Sequence, residues 1–196
     1  MYDAGMYKAA RHYRHEPVNY DDYLRMEAAS RDARHELVGG TVHTLASESR
    51  RHNLIALRLA SQLLAAAGGG PCQTYAADVK LRVSDDTVYY PDLIVVCDPA
   101  DADPLVVTTP CLIIEVLSPS TASIDRREKL IAYRRIPSLL AYLIVDQDEP
   151  RIERHWRDAL DAPWQMEVID SGIVPAPCLE AELVLDALYD NLPPAS

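Results

Sequence analysis

Hydrophobic and polar positions change their period several times along the chain, and each change predicts an element. From Asn19, "NYDDYLRMEAA" offers a capping residue followed by Asp22 three positions on, which predicts a short helix. "HELVGGTVHTLA" sets two glycines between apolar pieces and predicts a hairpin. In "SESRRHNLIALRLASQLLAAAGGG", Leu54, Leu57, Ala60 and Leu64 recur at helical spacing before a glycine stop, predicting an amphipathic helix. "QTYAADVKLRV", "VYYPDLIVVCD" and "PCLIIEVLS" are β-branched or apolar runs bounded by Gly, Pro or Asp, and predict strands. "SIDRREKLIAYRRI" opens with Asp125 and Glu128 at capping-box spacing and stops before Pro137, predicting a helix. "LLAYLIVD", "RIERHWR" and "WQMEVID" read as three further strands, and "LEAELVLDALYDN" as a short closing helix before Pro193 and Pro194.

This order predicts an α/β (α+β) fold with a mixed central β-sheet flanked by helices. One domain over residues 19–192 is expected between a flexible arm, 1–18, and a tail, 193–196. The 196 residues are enough to bury a core without staples. A hydrophobic share of 48% with 25% charged residues is that of a globular protein. No apolar run is long enough for a membrane span and the first residues lack a signal-peptide pattern, so a cytoplasmic protein is expected. Cys72, Cys97, Cys111 and Cys178 are far apart with no C-x-x-C pair, and three sit in or beside apolar runs. They read as small buried hydrophobes in preference to a zinc site or disulfides.

A net charge of −11 weakens long-range attraction to nucleic acid. The basic residues are clustered, however: Arg11 to His15, Arg50 with Arg51, Arg126 with Arg127, and a run starting at Arg151. A basic groove on an acidic body is compatible with that pattern.

The chemistry concentrates in two acids. Glu115 lies inside "LIIEVLS" and shares a strand face with Ile113 and Leu117. A lone carboxylate there is costly without a partner, a proton or a metal. Asp92 stands at the mouth of another apolar strand, directly after Pro91. Singly, the aspartate reads as a turn residue and the glutamate as an edge residue. Together, on neighbouring strands, they suit a hard divalent cation such as Mg²⁺, which activates water and stabilises charge growing on an attacked phosphate.

"PDLIVVCD" followed by "PCLIIEVLSPSTASIDRREKLIAYRRI" resembles the Uma-two family of restriction-endonuclease-like proteins, a branch of the PD-(D/E)XK nuclease superfamily. The likeness runs from Tyr20 to Leu188 and includes "HELVGGTV", "SRRHNLIALRLASQLL" and "YLIVDQDEPRIERHWR"; "EVLSPST" with "DRREKLIAY" is its most distinctive part. It implies a restriction-endonuclease-like core with Asp92 and Glu115 as ligands of Mg²⁺ or Mn²⁺. The superfamily's short form carries a lysine two residues after the glutamate, where this chain has Leu117. The resemblance instead implies Lys129, from the following helix, as the catalytic lysine. Lys129 lies one turn from Asp125 and from Tyr133 on one face, and a solvated lysine paired with nearby acids is its plainer reading. With only Lys8, Lys80 and Lys129 in the chain, Lys80 is the reserve candidate. Glu36 matches the family's glutamate ahead of the first hairpin and is implied as a third metal ligand. His52 and Tyr133 are accessory candidates whose bland readings are packing residues, and Ser118, Ser120 and Thr121 read as loop or cap residues.

The function expected is a metal-dependent endonuclease hydrolysing DNA phosphodiester bonds, with a homodimer as the expected assembly. One rival is a catalytically silent nuclease-fold binding or assembly module, suggested by the acidity and by Leu117. Another is a small phosphodiester hydrolase with the same metal chemistry. No G-x-S-x-G elbow, Walker loop or dinucleotide-binding glycine pattern is present.

Overall fold

A computed structural model of the chain describes residues 17–118 and 122–194. Most of the predicted arm, the basic run Arg11 to His15, Ser120 and Thr121 lie outside the described residues.

The first predicted elements form as read. In α1 (Tyr20–Ala29), Asn19 Oδ1 accepts from the Asp22 amide. β1 (His35–Val38) and β2 (Thr41–Thr44) are an antiparallel hairpin closed by Gly39 and Gly40, at φ of 54° and 78°. Left-handed backbone favours glycine at both positions, and a Cβ at Gly40 would meet Pro17 Cβ at 2.5 Å. α2 (Arg50–Ala67) is capped by the Ser49 side chain and stopped by left-handed Gly68. Its buried stripe is His52, Ile55, Leu59 and Leu63, which corrects the expected row: Leu57 and Leu64 are 57% and 59% exposed. Both rows have helical spacing, and tertiary packing selects the one that meets Leu93, Ile114 and Leu143.

Two of the predicted strands are each two strands. "QTYAADVKLRV" divides into β3 (Gln73–Ala76) and β4 (Lys80–Ser84) around Ala77, at φ 42°. "VYYPDLIVVCD" divides at Pro91 into β5 (Thr87–Tyr89) and β6 (Leu93–Val96). Each division carries the chain from one sheet to another. After β7 (Val106–Val107) come β8 (Leu112–Val116) and a continuous helix made of α3 (Ala122–Ile124), a π-helical turn (Asp125–Lys129) and α4 (Leu130–Tyr133). Asp125 therefore lies inside the helix, and its capping-box role does not form. β9 (Ala141–Val145), β10 (Ile152–Trp156), β11 (Gln165–Ile169), β12 (Ile173–Ala176) and β13 (Ala181–Val184) complete the strands. The predicted closing helix is β13 and a 3₁₀ turn (Asp186–Leu188), because Leu183 and Leu185 bury with the period of a strand.

Among the described residues, the larger sheet has the order β11-β10-β9-β8-β6-β3, with β8 and β9 parallel, the second has β2-β1-β5-β4-β7, with β4 and β7 parallel, and β12 pairs with β13 as a third, two-stranded sheet. This is the mixed α+β architecture expected. Alternation along β8 builds two cores. Leu112, Ile114 and Val116 face α2 and the β12–β13 hairpin. Ile113 and Leu117 join Tyr89, Tyr133 and Tyr142 on the opposite face. Glu115 shares the parity of this second face.

The cysteine expectation is also corrected: Cys72 pairs with Cys97 and Cys111 with Cys178 as disulfides. Antiparallel pairing of Gln73 with Val96 sets the flanking Cys72 and Cys97 side by side, although 25 positions separate them in sequence. Among the described residues, no helix is long and apolar enough to cross a membrane.

Candidate active site

Asp92 sits in the link between β5 and β6, and Glu115 near the end of β8. Leu93 pairs with Ile114; one step further along this antiparallel register, Asp92 stands opposite Glu115, and opposite residues share a face. β6 begins only at Leu93, so the Val116 amide finds the Asp92 carboxylate in place of a strand carbonyl and donates to Oδ2 at 2.7 Å. His52 Nε2 lies 2.9 Å from the Val116 carbonyl and 3.2 Å from Asp92 Oδ2. A carbonyl only accepts, so this nitrogen carries a hydrogen. Burial pulls the His52 pKa down, but Asp92, Glu48 and the Val116 carbonyl outweigh it and raise the value.

Glu115 Oε1 accepts from Lys129 Nζ at 2.9 Å and from the Tyr133 hydroxyl at 2.8 Å. Lys129 Nζ is also 3.2 Å from Asp125 Oδ1 and 3.5 Å from Glu36 Oε1. Glu36 comes from β1 in the other sheet, and its Oε1 accepts from the Tyr90 amide at 3.0 Å. Glu36, Glu115, Asp125 and Lys129 are each at most 6% exposed. The π-helical turn contains both Asp125 and Lys129, and such turns recur at functional sites.

Glu115, Asp125 and Glu36 thus gather around one ammonium, with Asp92 beside them on His52. Burial, opposed by Lys129 and reinforced by Asp125, Asp92 and Glu36, pushes the Glu115 carboxyl up to about 8. Burial lowers the Lys129 pKa, yet Glu115, Glu36 and Asp125 overcome it and hold the lysine charged. Burial, with the Glu115 charge added, raises the Tyr133 pKa and keeps its hydroxyl a neutral donor.

These side chains fit a divalent cation. Among the described residues, hydrogen bonds engage only Oδ2 of Asp92, Oε1 of Glu115 and Oε1 of Glu36, leaving the second oxygen of each acid for an ion. The three acids do not form a closed cage, since the only described triad with all ligand atoms within 4.8 Å of one another is built from cysteines. An open carboxylate set is what Mg²⁺ uses, because it retains several waters.

The acids open into a cleft of ≈ 850 Å³ whose lining includes Glu36, Glu48, His52, Asp92, Glu115 and Lys129. Lys80 lies outside this lining, its ammonium 5.3 Å from the centre of the Tyr90 ring. Glu48 was missed in the sequence. It stands beside the α2 cap with Oε2 3.9 Å from His52 Nε2, and burial raises its pKa. Its only signal was its position four residues before His52. Among the described clustered arginines, Arg51, Arg126, Arg154 and Arg157 serve the fold. Arg51 donates to the carbonyls of Gln147, Asp148 and Pro193, and Arg126 and Arg154 pair with Glu153 and Glu167. Arg157 donates to the carbonyls of Leu139, Ile136, Pro137 and Leu160. Arg34 and Arg50 line the cleft, with Arg34 2.7 Å from Asp78.

The fold is shared with a solved structure. A protein of Anabaena variabilis ATCC 29413 described as "a putative nuclease belonging to DUF820" superposes with a TM-score of 0.72 at 16% identity, covering 88% of this chain and 98% of that one. The chain belongs to the Uma2 family, described as "Putative restriction endonuclease", whose profile matches residues 20–187. Two Synechocystis sp. proteins are similar to it. The one described as "Uncharacterized protein slr1290" is 33% identical over 146 residues, 74% of this chain and 76% of its own. "Uncharacterized protein sll1609" is 31% identical over 147 residues, 73% of this chain and 82% of its own.

Proposed function

We propose that this chain is an endonuclease that hydrolyses DNA phosphodiester bonds with Mg²⁺ or Mn²⁺ held by Asp92, Glu115 and Glu36. One observation carries the reading: buried acids outnumber the cation among them, and each of these three keeps an oxygen free of described donors. Such an excess of negative charge calls for a positive ion. Family membership supplies the nuclease class and supports DNA as the substrate.

When bound, the cation activates water and stabilises negative charge on the attacked phosphate. The chain's own groups do the rest. The Val116 amide and His52 orient Asp92, while Tyr133 and Lys129 orient Glu115. Glu115, once it gives up the proton that burial had retained, would hold the cation together with Asp92 and Glu36. The Lys129 ammonium is then free to hold the nucleophilic water or a non-bridging phosphate oxygen, a preorganised stabiliser in a dry site. The cleft's few arginines make phosphate contacts local.

The test is nicking of supercoiled plasmid by the full chain with Mg²⁺ or Mn²⁺, alongside calorimetric Mn²⁺ titration. Cleavage that needs metal and disappears in Asp92→Asn and Glu115→Gln supports the proposal. Cleavage surviving both substitutions overturns the assignment, and metal binding without any cleavage favours the silent binding module.

A further inference from the structure

Four sulfurs meet at the end of the central strands remote from the acidic cleft. Cys97 follows β6, five residues from Asp92, and Cys111 precedes β8, four residues from Glu115. At about 3.3 Å per residue they lie about 13–16 Å from those acids along the strands. Cys72 precedes β3, and Cys178 belongs to the 3₁₀ turn (Pro177–Leu179) between β12 and β13. The chain thus brings four distant segments to one point.

The two disulfides are not separate staples. Cys97 Sγ and Cys111 Sγ, which belong to different pairs, are 3.4 Å apart. The sulfurs of Cys97, Cys111 and Cys178 all lie within 4.8 Å of one another, and Cys72 adjoins them through its bond to Cys97. All four cysteines pack on the apolar core beside α2. Four sulfurs, each about 2.3 Å from a tetrahedral zinc, sit about 3.8 Å apart, inside the 4.8 Å that encloses the Cys97, Cys111 and Cys178 sulfurs; Cys72 lies outside that triad and reaches it through Cys97. Thiolate-only sets select soft or borderline ions such as Zn²⁺ over the Mg²⁺ that carboxylates favour.

We infer that in the reduced protein Cys72, Cys97, Cys111 and Cys178 form a tetrathiolate site for Zn²⁺, and that the two disulfides are the oxidised, metal-free form of the same cluster. Two equivalents of a dithiol open the disulfides, delivering four electrons and four protons and leaving as two cyclic disulfides. Zn²⁺ then displaces up to four thiol protons as the metal–sulfur bonds form. Either state ties β3, β6, β8 and the C-terminal turn together, so the cross-link survives a change of redox environment. The site is independent of the endonuclease reading.

The experiment titrates Co²⁺ into the full chain, reduced with a dithiol under anaerobic conditions, followed by Zn²⁺. One equivalent of Co²⁺ is expected to give thiolate-to-metal charge transfer and the visible bands of a tetrahedral thiolate site, both abolished by one equivalent of Zn²⁺. The bands persist in Asp92→Asn, which separates this site from the cleft, and vanish in Cys97→Ser and Cys178→Ser. Should the serine variants not fold, alkylation of the wild type decides: Zn²⁺ slows modification of the four thiols at least tenfold. Absence of charge transfer, or equal alkylation with and without Zn²⁺, overturns the inference.

Discussion

Glu115→Gln in the metal-free protein probes the electrostatics where they are most strained. The Glu115 carboxyl is raised from its usual 4.5 to about 8, a shift of roughly 3.5 units, or about 5 kcal/mol at about 1.36 kcal/mol per unit. Between those values the folded chain keeps a proton that the unfolded chain has released, so stability falls as pH rises. The contribution is whole below about pH 4.5 and gone above about pH 8. Glutamine cannot ionise, yet its amide oxygen still accepts from Lys129 and Tyr133. Urea melts of both proteins in chelator, from about pH 5 to about pH 9, measure the difference. The wild type is expected to lose as much as about 5 kcal/mol more than the variant across that range, and Mn²⁺ is expected to flatten the wild-type profile alone. Parallel profiles would refute the claim that burial and neighbouring acids hold a proton on Glu115.

Lys129→Met leaves three buried carboxylates without their cation and is expected to cost about 3–5 kcal/mol in metal-free urea melts, partly restored by Mg²⁺; stability equal to wild type would show that the ammonium is not their partner. His52→Ala strips Asp92 of one orienting donor and is expected to weaken Mn²⁺ binding about 10–100-fold by calorimetry. Because the His52 pKa is raised in the fold, its stabilising pair with Asp92 is full below about pH 6.5 and fades as pH rises through the folded value. The stability gap between wild type and His52→Ala should therefore narrow with pH, and a widening gap would contradict the ion pair. Arg157→Met removes a buried guanidinium from four carbonyls and should cost about 3 kcal/mol or more, leaving Mn²⁺ affinity unchanged; weakened metal binding would place Arg157 in the cleft's machinery.

Short-range signals carried much of this protein. The Asn19 cap, the glycine stop of α2, the paired glycines of the first hairpin and the strand segments of β8 to β11 are local, and they fold as read. The misreadings all involve long-range choice. Helical spacing alone does not decide whether Ile55 or Leu57 faces the sheet, because both rows are apolar. A break at Ala77 has no composition signal, since alanine is rarely the residue that takes positive φ. Cys72 and Cys178 adjoin the other two cysteines only through strand pairing and the C-terminal turn. In the site, Asp92 and Glu115 were legible as acids set against apolar strands, whereas Lys129, Glu36 and His52 depended on resemblance. Glu48 had nothing to distinguish it from any acid near a helix start.

The crossings at Ala77 and Pro91 put the floor of the cleft on the hinge line of a folded page. The Ala77 amide donates to the Asp92 carbonyl at 3.0 Å, so the two crossings are stitched together beneath the acids. Lys129 works as a rivet through both leaves, gripping Glu36 on one and Glu115 on the other. Without that rivet the two leaves would lose the ammonium held between those acids, and like charges would face each other across the fold line.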